Sequence, residues 1–202
     1  MKKRKHLIRL IILAIIGIYL IYQFNQMKFL NFIGYEMLLG IGFVIGFIFW
    51  LWASLKDIKE YQSTPKKRFL IAPILGLIFW GLIFGIQWKN NSEFNKPTLL
   101  RVYYDGDFNG TSIDFKTDGT YLFENFSIGY STYIYGNYKL NGAFITLDKK
   151  EIDNVIKTNL LEIKDLEDGF DYVAGKYLIQ IKANGQEIAR ATQFRIVKDL
   201  RK

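Results

Sequence analysis

Cysteine is absent from this chain of 202 residues, histidine occurs once and proline three times. The missing thiols exclude disulfides, thiolate metal centres, a cysteine nucleophile and a lipid-modified cysteine. The lone imidazole, His6, lies in a basic N-terminal tail, so histidine-based zinc sites and catalytic triads are excluded from the C-terminal half. Acid is scarce at first: residues 1–96 carry 4 Asp/Glu against 13 Lys/Arg, while residues 97–202 carry 15 against 14. The basic excess therefore lies wholly in the first half. A nucleic-acid-binding domain needs a basic stripe on its folded surface, and none is expected here. The excess reads instead as cationic anchoring at an anionic membrane face.

Charge is also missing from three long runs, residues 10–24, 37–55 and 69–88. A helix needs about 20 apolar residues to cross a bilayer's hydrocarbon core. The second and third runs meet this, and the first does so from Leu7 if Arg9 snorkels to the interface. The expected architecture is a three-helix transmembrane domain over residues 1–89, with helices at about 7–24, 32–55 and 69–88. A linker at 90–97 and an all-β domain at 98–202 complete it. The first segment has a signal-peptide-like charged start, but Tyr22-Gln23-Phe24-Asn25-Gln26 offers no small-residue cleavage site. It reads as a retained helix, and the bilayer is the first expected partner.

Lysine and arginine set the expected orientation. The tail has Lys2, Lys3, Arg4, Lys5 and Arg9; the first link has Lys28 alone; the second has Lys56, Lys59, Lys66, Lys67 and Arg68. Tail and second link are expected in the cytoplasm of a bacterial cell, and three crossings of the inner membrane then place the C-terminal domain outside. Tyr19, Tyr22, Trp50, Trp52 and Trp88 fall near helix ends, where amphipathic rings favour the headgroup level. The pairs Gly42/Gly46 and Gly81/Gly85 have the spacing that lets helices approach closely, within one chain or in a homo-oligomer. Glu36 reads as an interfacial acid and His6 as a membrane-surface residue. With no charge pair within the apolar runs, no transport path is expected.

After residue 97 the pattern alternates as half-buried strands do. Expected strands cover 99–104, 111–116, 120–126, 132–140, 143–147, 159–166, 176–183 and 186–198, with a helical turn at 152–157. Asn109-Gly110, Asp118-Gly119, Asn141-Gly142, Asp168-Gly169 and Asn184-Gly185 read as turns. In Tyr177-Leu178-Ile179-Gln180-Ile181-Lys182 the alternation holds apart from Leu178. Eight strands joined by tight turns suggest an antiparallel up-and-down barrel, with a β-sandwich as the alternative.

Ile113-x-Phe115-x-x-Asp118-Gly119-Thr120-Tyr121, followed by Gly136-x-Tyr138-x-x-x-Gly142-x-x-Ile145-x-Leu147-Asp148, resembles the lipocalin-like domains of bacterial envelope proteins. The resemblance implies a small antiparallel barrel. The Gly-x-Trp that opens true lipocalins is replaced by Tyr104-Asp105-Gly106.

Two candidate sites follow from residue chemistry. Asp105-Gly106-Asp107-Phe108-Asn109-Gly110 matches the first half of a calcium loop, with Asp105, Asp107 and Asn109 as oxygen ligands, but the twelfth position is Lys116 rather than Glu. The rival reading is a polar hairpin. Tyr133 and Tyr135 share one strand face and would suit a ring-bearing or apolar ligand at a barrel mouth, the rival being ordinary packing. Asp165, Glu167 and Asp168 read as a solvated turn. No catalytic set and no cofactor is expected. The leading expectation is a non-enzymatic envelope protein whose outer domain binds a protein, lipid or small ligand, with an immunity-type role as one form. The alternative is a membrane effector whose cytoplasmic barrel senses a nucleotide-type ligand through Arg190 or Arg195.

Overall fold

The structure is a computed structural model that describes residues 2–168 and 173–201, without the side chains of residues 2 and 3. The chain divides into two compact units, Met1–Glu93 and Phe94–Lys202.

The first unit holds α1 (Lys2–Gln26), a short extended segment β1 (Leu30–Phe32), α2 (Ile33–Ser63), a single 3₁₀ turn (Lys67–Leu70) and α3 (Ile71–Phe94). All three helices are long and apolar enough to cross a membrane. Their outward positions are apolar too, as at Ile15, Leu38, Ile45, Leu77 and Phe84, which suits lipid rather than water as the surrounding solvent.

Helix α2 runs past its apolar window into Lys56–Ser63 and stops where Thr64 turns extended (φ −149°) and its amide caps the carbonyl of Glu60. Pro65 follows, and a residue before proline is disfavoured in helix. Helix α3 likewise continues to Phe94 through residues expected to form a linker.

Packing inside this unit uses glycine, at Gly46 of the pairs that the spacing suggested and also at Gly17 and Gly76. The ring of Phe79 lies against Gly17 and the indole of Trp50 fills the notch at Gly76, where a Cβ would fall 1.9 Å from Nε1. Trp50 Nε1 donates to the carbonyl of Pro73 at 3.3 Å, so this tryptophan belongs to the helix interface rather than an aromatic belt. Gly46 meets Ile16 and Leu20 of α1, whereas the Gly81/Gly85 face has nothing within 4 Å among the described residues.

The second unit is a closed barrel of eight antiparallel strands: β2 (Thr98–Gly106), β3 (Asn109–Lys116), β4 (Thr120–Ser127), β5 (Tyr130–Asn141), β6 (Phe144–Leu147), β7 (Leu160–Leu166), β8 (Gly175–Gln180) and β9 (Phe194–Asp199). Each pairs with the next, and β9 returns to β2 through Leu100↔Asp199 to Tyr103↔Arg195. This is the up-and-down barrel, not the sandwich. Closure leaves the ladder without a free edge.

Pleat parity fills the interior. Leu100, Val102, Ile113, Phe115, Tyr121, Phe123, Tyr138, Ile145, Leu147, Leu161, Leu178 and Phe194 all point in and are buried. Strand β8 reverses the sequence reading. Leu178, the residue that broke the alternation, is the inward one, opposite Phe194. Tyr177, Ile179 and Ile181 form a separate outer cluster with Leu160 and Leu166.

Three connections differ from expectation. The β2–β3 turn is Asp107-Phe108, since Gly106 pairs with Asn109. Asp107 takes the positive φ (66°) and its amide donates to Asp105 Oδ1, so the Asx geometry, not Asn109-Gly110, makes the turn. Residues 152–157 form no helical turn: Ile152 and Ile156 bridge across Asp153 and Asn154, both at positive φ. Their side chains enter the core from the barrel's end. The long last strand is broken too. After the turn at Asn184-Gly185 the chain leaves the ladder at Arg190 (φ 60°) and β9 begins only at Phe194. The turn expected at Asp168-Gly169 runs into residues outside the described ones.

Candidate functional site

The polar groups that the helical unit buries converge at one end. Asp57 is fully buried on α2. Its Oδ2 lies 2.8 Å from His6 Nδ1, and its Oδ1 accepts from the guanidinium of Arg9. Arg9 also reaches Glu60 Oε1 at 3.2 Å. His6 and Arg9 stand three apart on α1, and Asp57 and Glu60 three apart on α2, so each pair faces one way. Phe69 of the 3₁₀ turn packs edge-on against His6 at 5.2 Å, and the Arg68 guanidinium lies 4.9 Å over the Phe69 ring. Arg9 Nε, Ser54 Oγ and Glu60 Oε2 are buried beside these groups and find no hydrogen-bond partner among the described residues.

This cluster corrects one sequence reading: His6 is buried against Asp57 and Phe69 rather than lying on a surface. Arg9 pairs with Asp57 and Glu60, and the charge pair lies just outside the uncharged runs 10–24 and 37–55. The signal was the matched i, i+3 spacing of base and acid at opposite termini of consecutive helices. In low dielectric a carboxylate between a guanidinium and an imidazole holds both groups in place and forms a polar latch between α1 and α2. The opposite end of the unit is polar more sparsely: Lys28 pairs with Glu93, and the Tyr35 hydroxyl donates to Gln23.

In the barrel, the motif behind the lipocalin-like resemblance acquires a physical meaning. The Tyr121 hydroxyl donates to Asp148 Oδ1 at 3.1 Å, passing over Gly136, where a Cβ would sit 2.4 Å from the ring. The Asn137 amide donates to Asp148 Oδ2 at 2.9 Å. Burial pulls the Asp148 carboxyl upward, but the Asn137 and Tyr121 hydrogen bonds outweigh it and lower it from the usual range; burial, then Asp148, push the Tyr121 phenol up. Tyr138 donates to the Lys116 carbonyl, and the buried Lys116 ammonium donates to the carbonyls of Phe94 and Lys96 and to Asp114. At the plugged end, the buried Gln180 side chain accepts from the Lys157 amide and donates to the carbonyls of Val155 and Thr192. It clamps the inserted loop to the segment before β9.

The expected site residues fare differently. Asp105 and Asp107 share one exposed hairpin tip and Asn109 begins β3, but the Asp105 carboxylate is engaged with the Asp107 amide. No cluster of three or more His, Asp or Glu side chains able to hold a metal occurs among the described residues. Tyr133 and Tyr135 are half-buried on the outer wall, opposite in parity to the inward Ile134, so they do not line the interior; Phe94 packs edge-on against Tyr133 at 5.8 Å. Arg190 is exposed in the loop before β9, and Arg195 is exposed between the inward Phe194 and Ile196. Asp168 Oδ1 accepts from the Ala174 amide, as a turn residue does.

No family model, curated protein or solved structure matches this chain.

Proposed function

We propose that this chain is a non-enzymatic protein of the bacterial cytoplasmic membrane whose lipocalin-like barrel lies outside the cell and recognises a partner with its outer surface. The observation that carries the reading is the filling of the barrel. Strand residues and the inserted Ile152 and Ile156 occupy the interior, where a carrier would keep room for its ligand. Recognition is then a task for the wall and the rim. The basic tail and second link, set against Lys28 alone in the first, support the outward placement.

In this reading the His6–Arg9–Asp57–Glu60 latch holds the cytoplasmic ends of α1 and α2 together, and the uncovered Gly81/Gly85 face of α3 associates with a second copy. Interception of an incoming toxin at the membrane is one role for such a display. An alkaline phosphatase fusion at Lys202 tests the placement. Activity in intact cells, with proteolysis of the barrel in spheroplasts, is the expected result; a protected barrel digested only after lysis rejects the reading.

A further inference from the structure

The two most exposed apolar side chains among the described residues of the barrel occupy adjacent turns. Phe108 is 79% exposed in the β2–β3 turn and Ile128 is 82% exposed in the β4–β5 turn. Asn109 pairs with Ser127, so these tips stand side by side one step beyond that pair. The partly exposed Tyr104 and Tyr130 flank them.

Nothing in the turns requires apolar residues there. Asp107 and Gly129 take the positive φ angles, and Phe108 and Ile128 bury little. Single exposed apolar residues are ordinary, but a contiguous group with flanking tyrosines marks a contact surface.

The strands that carry the tips interlock. Phe126 lies across Gly110, where a Cβ would meet its ring at 2.4 Å, and stacks on Tyr103 at 5.7 Å. This braces β2, β3 and β4 against one another, so little ordering is needed on binding.

Charge selects the partner. Residues 102–115 and 117–138 contain no Lys or Arg in a chain that has 27 of them, while Asp105 and Asp107 are exposed beside Phe108. An anionic bilayer surface recruits lysine and arginine and repels such a tip. We propose that the paired tips, with Phe108 and Ile128 as anchors and Asp105 and Asp107 as a rim, dock onto a cationic protein surface that offers an apolar pocket. The proposal rests on the reading that the barrel works through its exterior, and it names the chemistry of the partner.

The test uses the full chain in its native cell, with photoreactive p-benzoylphenylalanine at position 108 or 128 and, as control, at the exposed wall position Val197. Expected is an adduct at 108 and 128, above the control, whose attached peptide carries Lys/Arg and apolar residues. Its yield should fall at least tenfold when Asp105→Asn and Asp107→Asn are combined, with near-ultraviolet circular dichroism unchanged. Adducts only to lipid, to a second copy or to a segment without basic residues overturn the proposal. So does a yield no higher than the control or indifferent to the two carboxylates. The phosphatase fusion in the same cells separates the two failures: an external barrel without the adduct rejects the docking surface alone, and an internal barrel rejects the placement.

Discussion

Arg9 and Asp57, 48 positions apart, meet in a buried ion pair that ties the start of α1 to the end of α2. Removing one partner of such a pair strands the other charge and costs about 3–5 kcal/mol, whereas replacing both with apolar residues is often neutral. Asp57→Met should therefore destabilise the helical unit strongly, and Arg9→Met combined with Asp57→Met should recover much of the loss. Thermal unfolding of the full chain in detergent measures this. Equal damage from the single and double changes would reject the latch.

Gly136 is required by the Tyr121–Asp148 contact rather than by a turn. Gly136→Ala should cost about 1–3 kcal/mol through overpacking. Tyr121→Phe should cost about 1.5–3 kcal/mol by removing a hydrogen bond to a charged group. Denaturant unfolding followed by near-ultraviolet circular dichroism reads both. An unchanged midpoint for Gly136→Ala would mean that the tyrosine does not cross at this point.

Acid should weaken the barrel in a defined window. The Lys96 ammonium, and then the Thr120 hydroxyl, hold the Asp118 carboxyl down to about 2. Because the folded value lies below the unfolded value of about 3.9, the stabilisation is present above that value and is lost as pH falls towards 2. Asp118 is 44% exposed at its side chain, so the effect should shrink with salt. Asp148, also lowered, acts in the same direction. Asp118→Asn should lower stability at neutral pH and flatten the acid limb of a stability–pH curve at low salt, so that the two proteins converge as pH falls towards 2. Parallel curves for the two proteins would contradict the assignment.

Gln180 satisfies three backbone groups at the plugged end. Gln180→Leu leaves them buried without partners, at about 1–3 kcal/mol for a group so stranded. Hydrogen exchange should show the Lys157 amide losing protection before the β2–β3 ladder does. Retained protection at Lys157 would show that the inserted Ile152 and Ile156 hold the loop unaided.

Local composition made much of the architecture readable. Uncharged runs of bilayer length announce helices whatever they pack against, because the cost of an unsatisfied backbone in lipid leaves little choice. Period-2 alternation and the turns at Asp118-Gly119 and Asn141-Gly142 announced the meander for a similar reason: they are short-range. Leu178 shows the limit. Its strand is apolar on both sides, and parity could be assigned only once Phe194 stood opposite it.

The candidate sites were legible only in part. Asp105 and Asp107 do share a tip, but the turn closes two residues earlier than Asn109-Gly110 would place it, because an Asx hydrogen bond competes with the Asn-Gly preference. The His6–Asp57 contact left a fainter trace, since paired spacings on separate helices become a cluster only when the helices meet. Periodicity, charge-free length and turn chemistry act between near neighbours and are written along the chain. Which buried acid meets which base, which glycine admits Tyr121 or Trp50, and which strand face looks inward depend on contacts between residues tens of positions apart, and these exist only in the folded molecule.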